Sequence, residues 1–121
     1  MRQDKINIPA SYPFSSELLA LEKVQMLKVL EEAAETVEAW KDWQKGKANK
    51  RQFIDESADL IQAFVNLLAV SDVSDEDLLK AMQRCNSRNG LKGRLAFDWK
   101  DEKDQFEALD ASDRNAKKDS E

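Results

Sequence analysis

The run LIQAFVNLLAV, residues 60–70, limits the fold of this chain more than any other segment, because only two of its eleven side chains are polar. It ends a longer helical pattern, residues 51–70, whose apolar side chains spread over more than half of a helical wheel. One neighbouring helix cannot cover so wide an arc. The pattern predicts a central helix, covered either by its own chain or partly by a second subunit, and we favour the subunit.

Three further helical segments are predicted around this one. The first spans residues 16–44, with Ser15 or Ser16 as its N-cap and Gly46 after its end. Ser74 opens a third helix, residues 74–89, and residues 101–109 form a short fourth. We therefore expect an all-α bundle of about four helices, with the active site between two long antiparallel helices and completed by oligomerisation.

Composition supports this fold class, since three Gly and two Pro are few for a strand-rich domain of 121 residues. The length suits one compact domain. We expect an N-terminal lead-in over residues 1–15, a single domain over residues 16–109, and a disordered polar tail over residues 110–121.

The charge of the chain and its lack of His exclude several kinds of function. A net charge of −5 opposes binding to duplex nucleic acid, which needs a basic surface. No long apolar run or signal-peptide pattern is present, so we expect a cytoplasmic protein without membrane contact. One Cys and no His remove internal disulfides, His-dependent catalytic triads and the usual zinc sites, and leave oxygen ligands.

Two pairs of carboxylates stand on the two long predicted helices. Glu32 and Glu35 are three residues apart, as are Glu56 and Asp59, so each pair lies along one helix face. Glu56 falls inside the apolar arc, where an ionised carboxylate needs a proton, a cation or a metal ion. Four such oxygen ligands suit Mg²⁺ or Mn²⁺, and Mg²⁺ commonly bridges to nucleotide phosphates. The alternative is solvated helix surface, which is our interpretation of Glu31 and Glu38.

The segments QMLKVLEEAAE and DESADLIQAFVNLLA resemble the MazG-like all-α nucleoside triphosphate pyrophosphohydrolases. The family pattern is E-x-x-E, a spacer and E-x-x-D, followed by a later motif of Asn, two residues, a basic residue and Gly. The matching residues are Glu32, Glu35, Glu56 and Asp59, then Asn89, Lys92 and Gly93. A Lys often found four residues before that Asn is replaced here by Cys85.

This resemblance implies hydrolysis of an NTP or dNTP between its α and β phosphates, for which the oxygen ligands would hold Mg²⁺ or Mn²⁺. The wide apolar arc of residues 51–70 adds the expectation of a homodimer or homotetramer. The four carboxylates would hold the metal, and Glu35 is our candidate for the general base. Two alternatives remain: a phosphoribosyl-ATP pyrophosphohydrolase, and a non-catalytic helical dimer that binds nucleotides.

Five further side chains are candidates for substrate binding, each with a structural alternative. Lys28 could reach a phosphate or form an ion pair within its helix, and Trp43 could stack on a base or belong to the core. The remaining candidates, which could bind sugar or phosphate or else cap the third helix and its loop, are Asn86, Asn89 and Lys92.

Overall fold

A computed structural model of the chain describes residues 5–96, which hold three α-helices and no strand. The helices are α1, Glu22–Gln44, α2, Lys50–Val70, and α3, Asp75–Leu91. The all-α class is therefore confirmed, although the described residues do not show a bundle of about four helices. The predicted fourth helix and the polar tail lie outside the described residues. None of the helices in residues 5–96 is both long and apolar enough to cross a bilayer.

Residues 5–96 divide into two compact units, one of residues Pro9–Val73 and the other of residues 5–8 with residues 74–96. Helices α1 and α2 belong to the first unit and α3 belongs to the second.

Helix α1 begins six residues later than predicted, at Glu22, because Leu21 is extended (φ −131°, ψ 120°). Neither predicted cap, Ser15 or Ser16, begins the helix; the Ser15 carbonyl instead closes a separate turn by accepting from the amides of Leu18 and Leu19. The side chain of Gln25 donates a hydrogen bond from Nε2 to the Leu18 carbonyl at 3.3 Å. A side-chain donor thus replaces the backbone donor that a continuous helix would have supplied.

Helices α1 and α2 pack as an antiparallel hairpin. Gly46, the predicted residue after α1, has a φ of 73° and lets the chain reverse. Asn49 caps α2, since its side-chain oxygen accepts from the amide of Gln52 at 3.0 Å. Ala39 of α1 and Ala63 of α2 are buried, and such small side chains let two helix backbones come close.

The two polar side chains of the apolar run, Gln62 and Asn66, hold the segment before α1. Gln62 Nε2 donates to the Tyr12 carbonyl at 2.9 Å and to Asn66 Oδ1 at 3.1 Å. The Phe14 amide donates to the same Asn66 oxygen at 2.9 Å, and Asn66 is only 3% exposed. Part of the predicted lead-in is therefore bonded to α2, and the buried amide is satisfied.

Helix α3 begins as predicted, with the Ser74 hydroxyl accepting from the Asp77 amide at 3.1 Å. Its end differs from the prediction, because α3 continues to Leu91 and includes Gly90. The left-handed turn falls instead at Gly93, with a φ of 66°.

Candidate metal centre

Three of the four predicted metal ligands come together between α1 and α2. Carboxylate oxygens of Glu32, Glu35 and Glu56 all lie within 4.8 Å of one another. The i,i+3 spacing places Glu32 and Glu35 on one side of α1, and the antiparallel packing brings Glu56 of α2 opposite them. Oxygens at such distances can share one cation.

The cluster is shielded from solvent on one side. Glu32 and Glu56 are half-buried and Glu35 is exposed. Glu32 Oε2 and Glu56 Oε2 are buried and have no hydrogen-bond partner. A buried carboxylate oxygen without a donor is unfavourable, so these two atoms require a proton or a cation.

Burial is the main reason that the pKa of Glu32 is raised above 4.5. Repulsion from the neighbouring Glu35 carboxylate raises the pKa of Glu32 further, followed by the charges of Asp59 and Glu56. Burial is also the first cause of the raised pKa of Glu56, ahead of repulsion from Glu35 and Asp59. The metal-free cluster therefore resists carrying its full negative charge.

Asp59, the fourth predicted ligand, is exposed and is not one of the three residues grouped within 4.8 Å. It is nevertheless close enough to raise the pKa of both Glu32 and Glu56. The donor set is thus three carboxylates with a fourth nearby, all hard oxygen ligands. Together with two partnerless buried oxygens, this set fits a divalent cation such as Mg²⁺ or Mn²⁺.

Thr36 joins the two helices at this cluster and is a residue that was not predicted from the sequence. Its hydroxyl lies 2.7 Å from the Glu32 carbonyl and 3.0 Å from the Glu56 carbonyl. Its position four residues after Glu32 could have indicated this role, because that spacing puts both residues on one face of α1.

The structure pairs Lys28 and Trp43 with residues of their own chain. Lys28 Nζ lies 3.2 Å from Glu31 Oε2, which is the intrahelical ion pair that we weighed against phosphate binding. Trp43 stacks on Phe53 of α2, with ring centroids 5.8 Å apart and an interplanar angle of 20°. Lys50 Nζ lies 5.9 Å from the centroid of the same indole. One face of the indole is thus used in packing the hairpin.

Asn86, Asn89 and Lys92 lie in the other compact unit, on α3 and directly after it. Asn86 and Lys92 are exposed. Asn89 Oδ1 accepts from Arg94 Nη1 at 3.3 Å, and its backbone carbonyl accepts from the Arg94 amide at 3.0 Å. Asn89 therefore organises the turn after α3, which is the structural alternative to substrate binding. Cys85, which stands where the resembling family often has a Lys, is half-buried and accepts from Asn89 Nδ2 at 3.6 Å.

Comparison with known proteins connects this cluster to a family. The sequence model of the family described as phosphoribosyl-ATP pyrophosphohydrolase matches residues 1–86, more than half of the chain. That family lies in the MazG-like all-α superfamily, so the resemblance is confirmed at that level. The match includes all four carboxylates and ends before Asn89 and Lys92. No curated protein and no solved structure gives a match.

Proposed function

Because the chain belongs to the phosphoribosyl-ATP pyrophosphohydrolase family, we propose that it hydrolyses a phosphoribosyl-ATP-like nucleotide between the α and β phosphates. The products are pyrophosphate and the corresponding monophosphate. The observation that carries the proposal is the meeting of three carboxylates between α1 and α2, with two buried oxygens that lack hydrogen-bond partners. The family consists of pyrophosphohydrolases that are generally dependent on divalent metals.

In this proposal Glu32, Glu35 and Glu56 hold a divalent cation, and Asp59 adds negative charge beside them. The cation supplies charge neutralisation at the phosphate oxygens. Glu32 and Glu56 suit the role of direct ligands, because each has a buried carboxylate oxygen to which no protein group donates a hydrogen bond.

Glu35 is our proposed general base. It is the exposed member of the three, so a water molecule can reach its carboxylate from solvent. Hydrolysis adds the oxygen of water to one phosphorus and breaks the anhydride bond, while a proton of that water passes to Glu35. The second carboxylate oxygen of Glu35 remains available to the cation.

A second candidate is hydrolysis of an ordinary NTP or dNTP at the same bond. The motif formed by Asn89, Lys92 and Gly93 favours this candidate, since it resembles nucleoside triphosphate pyrophosphohydrolases and lies beyond the matched residues 1–86. The carboxylate cluster itself does not distinguish the two substrates, because it would act on metal and phosphate in both.

A substrate panel tests the proposal. The purified protein is incubated with phosphoribosyl-ATP, the four NTPs and the four dNTPs, with Mg²⁺, Mn²⁺ or EDTA, and pyrophosphate and orthophosphate are measured separately. We expect metal-dependent pyrophosphate from phosphoribosyl-ATP. Pyrophosphate from NTPs or dNTPs alone would favour the second candidate. Nucleotide binding without any turnover would contradict both and support the non-catalytic alternative.

A further inference from the structure

We propose that Thr36 is a positioning residue that holds α1 and α2 in the register at which Glu32 and Glu56 share a cation. The inference rests on the proposed function only in naming that cation as the catalytic one.

The hydroxyl of Thr36 lies between two backbone carbonyls on different helices. It is 2.7 Å from the oxygen of Glu32, one turn earlier on α1, and 3.0 Å from the oxygen of Glu56 on α2. A hydroxyl carries one hydrogen, so Thr36 donates to the two carbonyls in a shared bond or in alternation. Both carbonyls belong to the residues whose carboxylates have a buried, partnerless oxygen.

A Thr that donates to the carbonyl four residues earlier is ordinary in a helix. The contact across to Glu56 is the additional feature, because it links α1 to α2 through a side-chain hydrogen bond. Packing alone allows two helices to slide by fractions of an ångström, whereas a hydrogen bond has a narrow range of length and angle. Thr36 therefore restrains the hairpin at the level of the carboxylates.

The Thr36 hydroxyl donates to backbone carbonyls rather than to the carboxylates of the cluster. Because it donates to the carbonyls, it leaves Glu32 Oε2 and Glu56 Oε2 without a competing donor.

Ser57 provides a matched control. Its hydroxyl donates to the Phe53 carbonyl at 2.8 Å, so it makes the same local bond within α2 without reaching α1. Removal of this hydroxyl tests the general effect of losing a helix hydroxyl next to Glu56.

The experiment compares wild type, Thr36→Val, Thr36→Ser and Ser57→Ala. Mn²⁺ binding is measured by electron paramagnetic resonance, helix content by circular dichroism, and turnover against Mn²⁺ concentration. We expect Thr36→Val to weaken Mn²⁺ binding by about tenfold, the lower range for residues that orient metal ligands. Thr36→Ser should restore wild-type affinity, and Ser57→Ala should change it less than twofold. If Thr36→Val does not fold, Thr36→Ala must show the same loss.

The outcomes separate this inference from the proposed function. Wild-type Mn²⁺ affinity in a folded Thr36→Val protein, or an equal loss in Ser57→Ala, overturns the positioning role and leaves the proposed function standing. Weakened binding in Thr36→Val, with no turnover of any nucleotide by wild type, supports the positioning role and contradicts the proposed function. A wild-type protein that binds no Mn²⁺ overturns both.

Discussion

Glu32 and Glu56 make the metal-free protein sensitive to pH. The pKa of each is raised above 4.5 in the folded chain, chiefly by burial. At pH values above 4.5, Glu32 and Glu56 lose their protons in the unfolded chain before they lose them in the folded chain. The free energy of unfolding therefore falls as pH rises through the raised pKa values of the folded chain. These two groups therefore favour the folded state more at low pH than at high pH. A carboxylate in an ion pair has the opposite effect on stability.

We therefore expect the Tm in EDTA to fall from pH 5 to pH 7, and the Glu32→Gln/Glu56→Gln double variant to lose part of this fall. The exposed Glu38 on the same helix provides the control Glu38→Gln, which should behave as wild type. Thermal melts at both pH values measure the effect, and a double variant with the wild-type pH dependence would contradict it.

For individual residues, the sequence was a better guide to which carboxylates come together than to the contacts that single side chains make. Glu32, Glu35 and Glu56 come together because helical spacing and one antiparallel packing are enough to place them. The contacts of Lys28 and Trp43 depend on which neighbour lies closest in three dimensions. That neighbour is Glu31 for Lys28 and Phe53 for Trp43, and periodicity alone does not select between such partners.

Local cap and turn signals account for the starts of α2 and α3 and for the end of α1, but not for the start of α1. Asn49 and Ser74 begin α2 and α3, and Gly46 follows α1, as helix-capping rules require. The predicted start of α1 was wrong. The observed start depends on a hydrogen bond from the buried side chain of Gln25 to the Leu18 carbonyl, and capping rules do not include such a contact.

The Asn49 cap allows a test of the hairpin. Asn49→Ala removes the acceptor of the Gln52 amide and should lower the free energy of unfolding by about 1 kcal/mol. Asn49→Asp keeps an acceptor and should stay close to wild type. Urea titrations of the three proteins decide this prediction, and equal midpoints for wild type and Asn49→Ala would show that the cap contributes nothing.

The residues that follow α3 allow a second test at this scale. Lys92→Ala should weaken substrate use by about 1.5–3 kcal/mol if Lys92 forms a charge-assisted bond to a phosphate. Asn89→Ala should do the same, but it also removes the Arg94 contact, so Lys92 is the cleaner probe. Deletion of residues 110–121, outside the described residues, is the control and should leave kcat/KM unchanged. Loss of activity on that deletion, with Lys92→Ala active, would place substrate binding in the tail.

Over the whole molecule, the α1–α2 hairpin leaves much apolar surface in contact with solvent. Leu30 is 63% exposed, Leu27 57%, and Val37 and Ile54 each 52%. Surfaces of this kind commonly mark protein–protein contacts. We therefore expect a dimer or larger assembly in sedimentation, as the wide apolar arc of α2 also predicts.

Leu30→Glu should shift this assembly toward monomer, because it introduces a charge into the apolar surface. Lys41→Glu changes an exposed charged residue of the same helix and should leave the assembly intact. A wild-type protein that sediments as a stable, active monomer would contradict the expectation.

The central claim is that the carboxylates between α1 and α2 hold the metal on which pyrophosphate release depends, and Glu56→Gln tests it most directly. The substitution keeps the size of the side chain and removes one charge from a half-buried position, so the fold should persist. Mn²⁺ binding and pyrophosphate release are measured on wild type, Glu56→Gln and the exposed control Glu38→Gln. We predict that Glu56→Gln loses both while Glu38→Gln retains both, and a Glu56→Gln protein that binds Mn²⁺ and releases pyrophosphate as wild type does would contradict the claim.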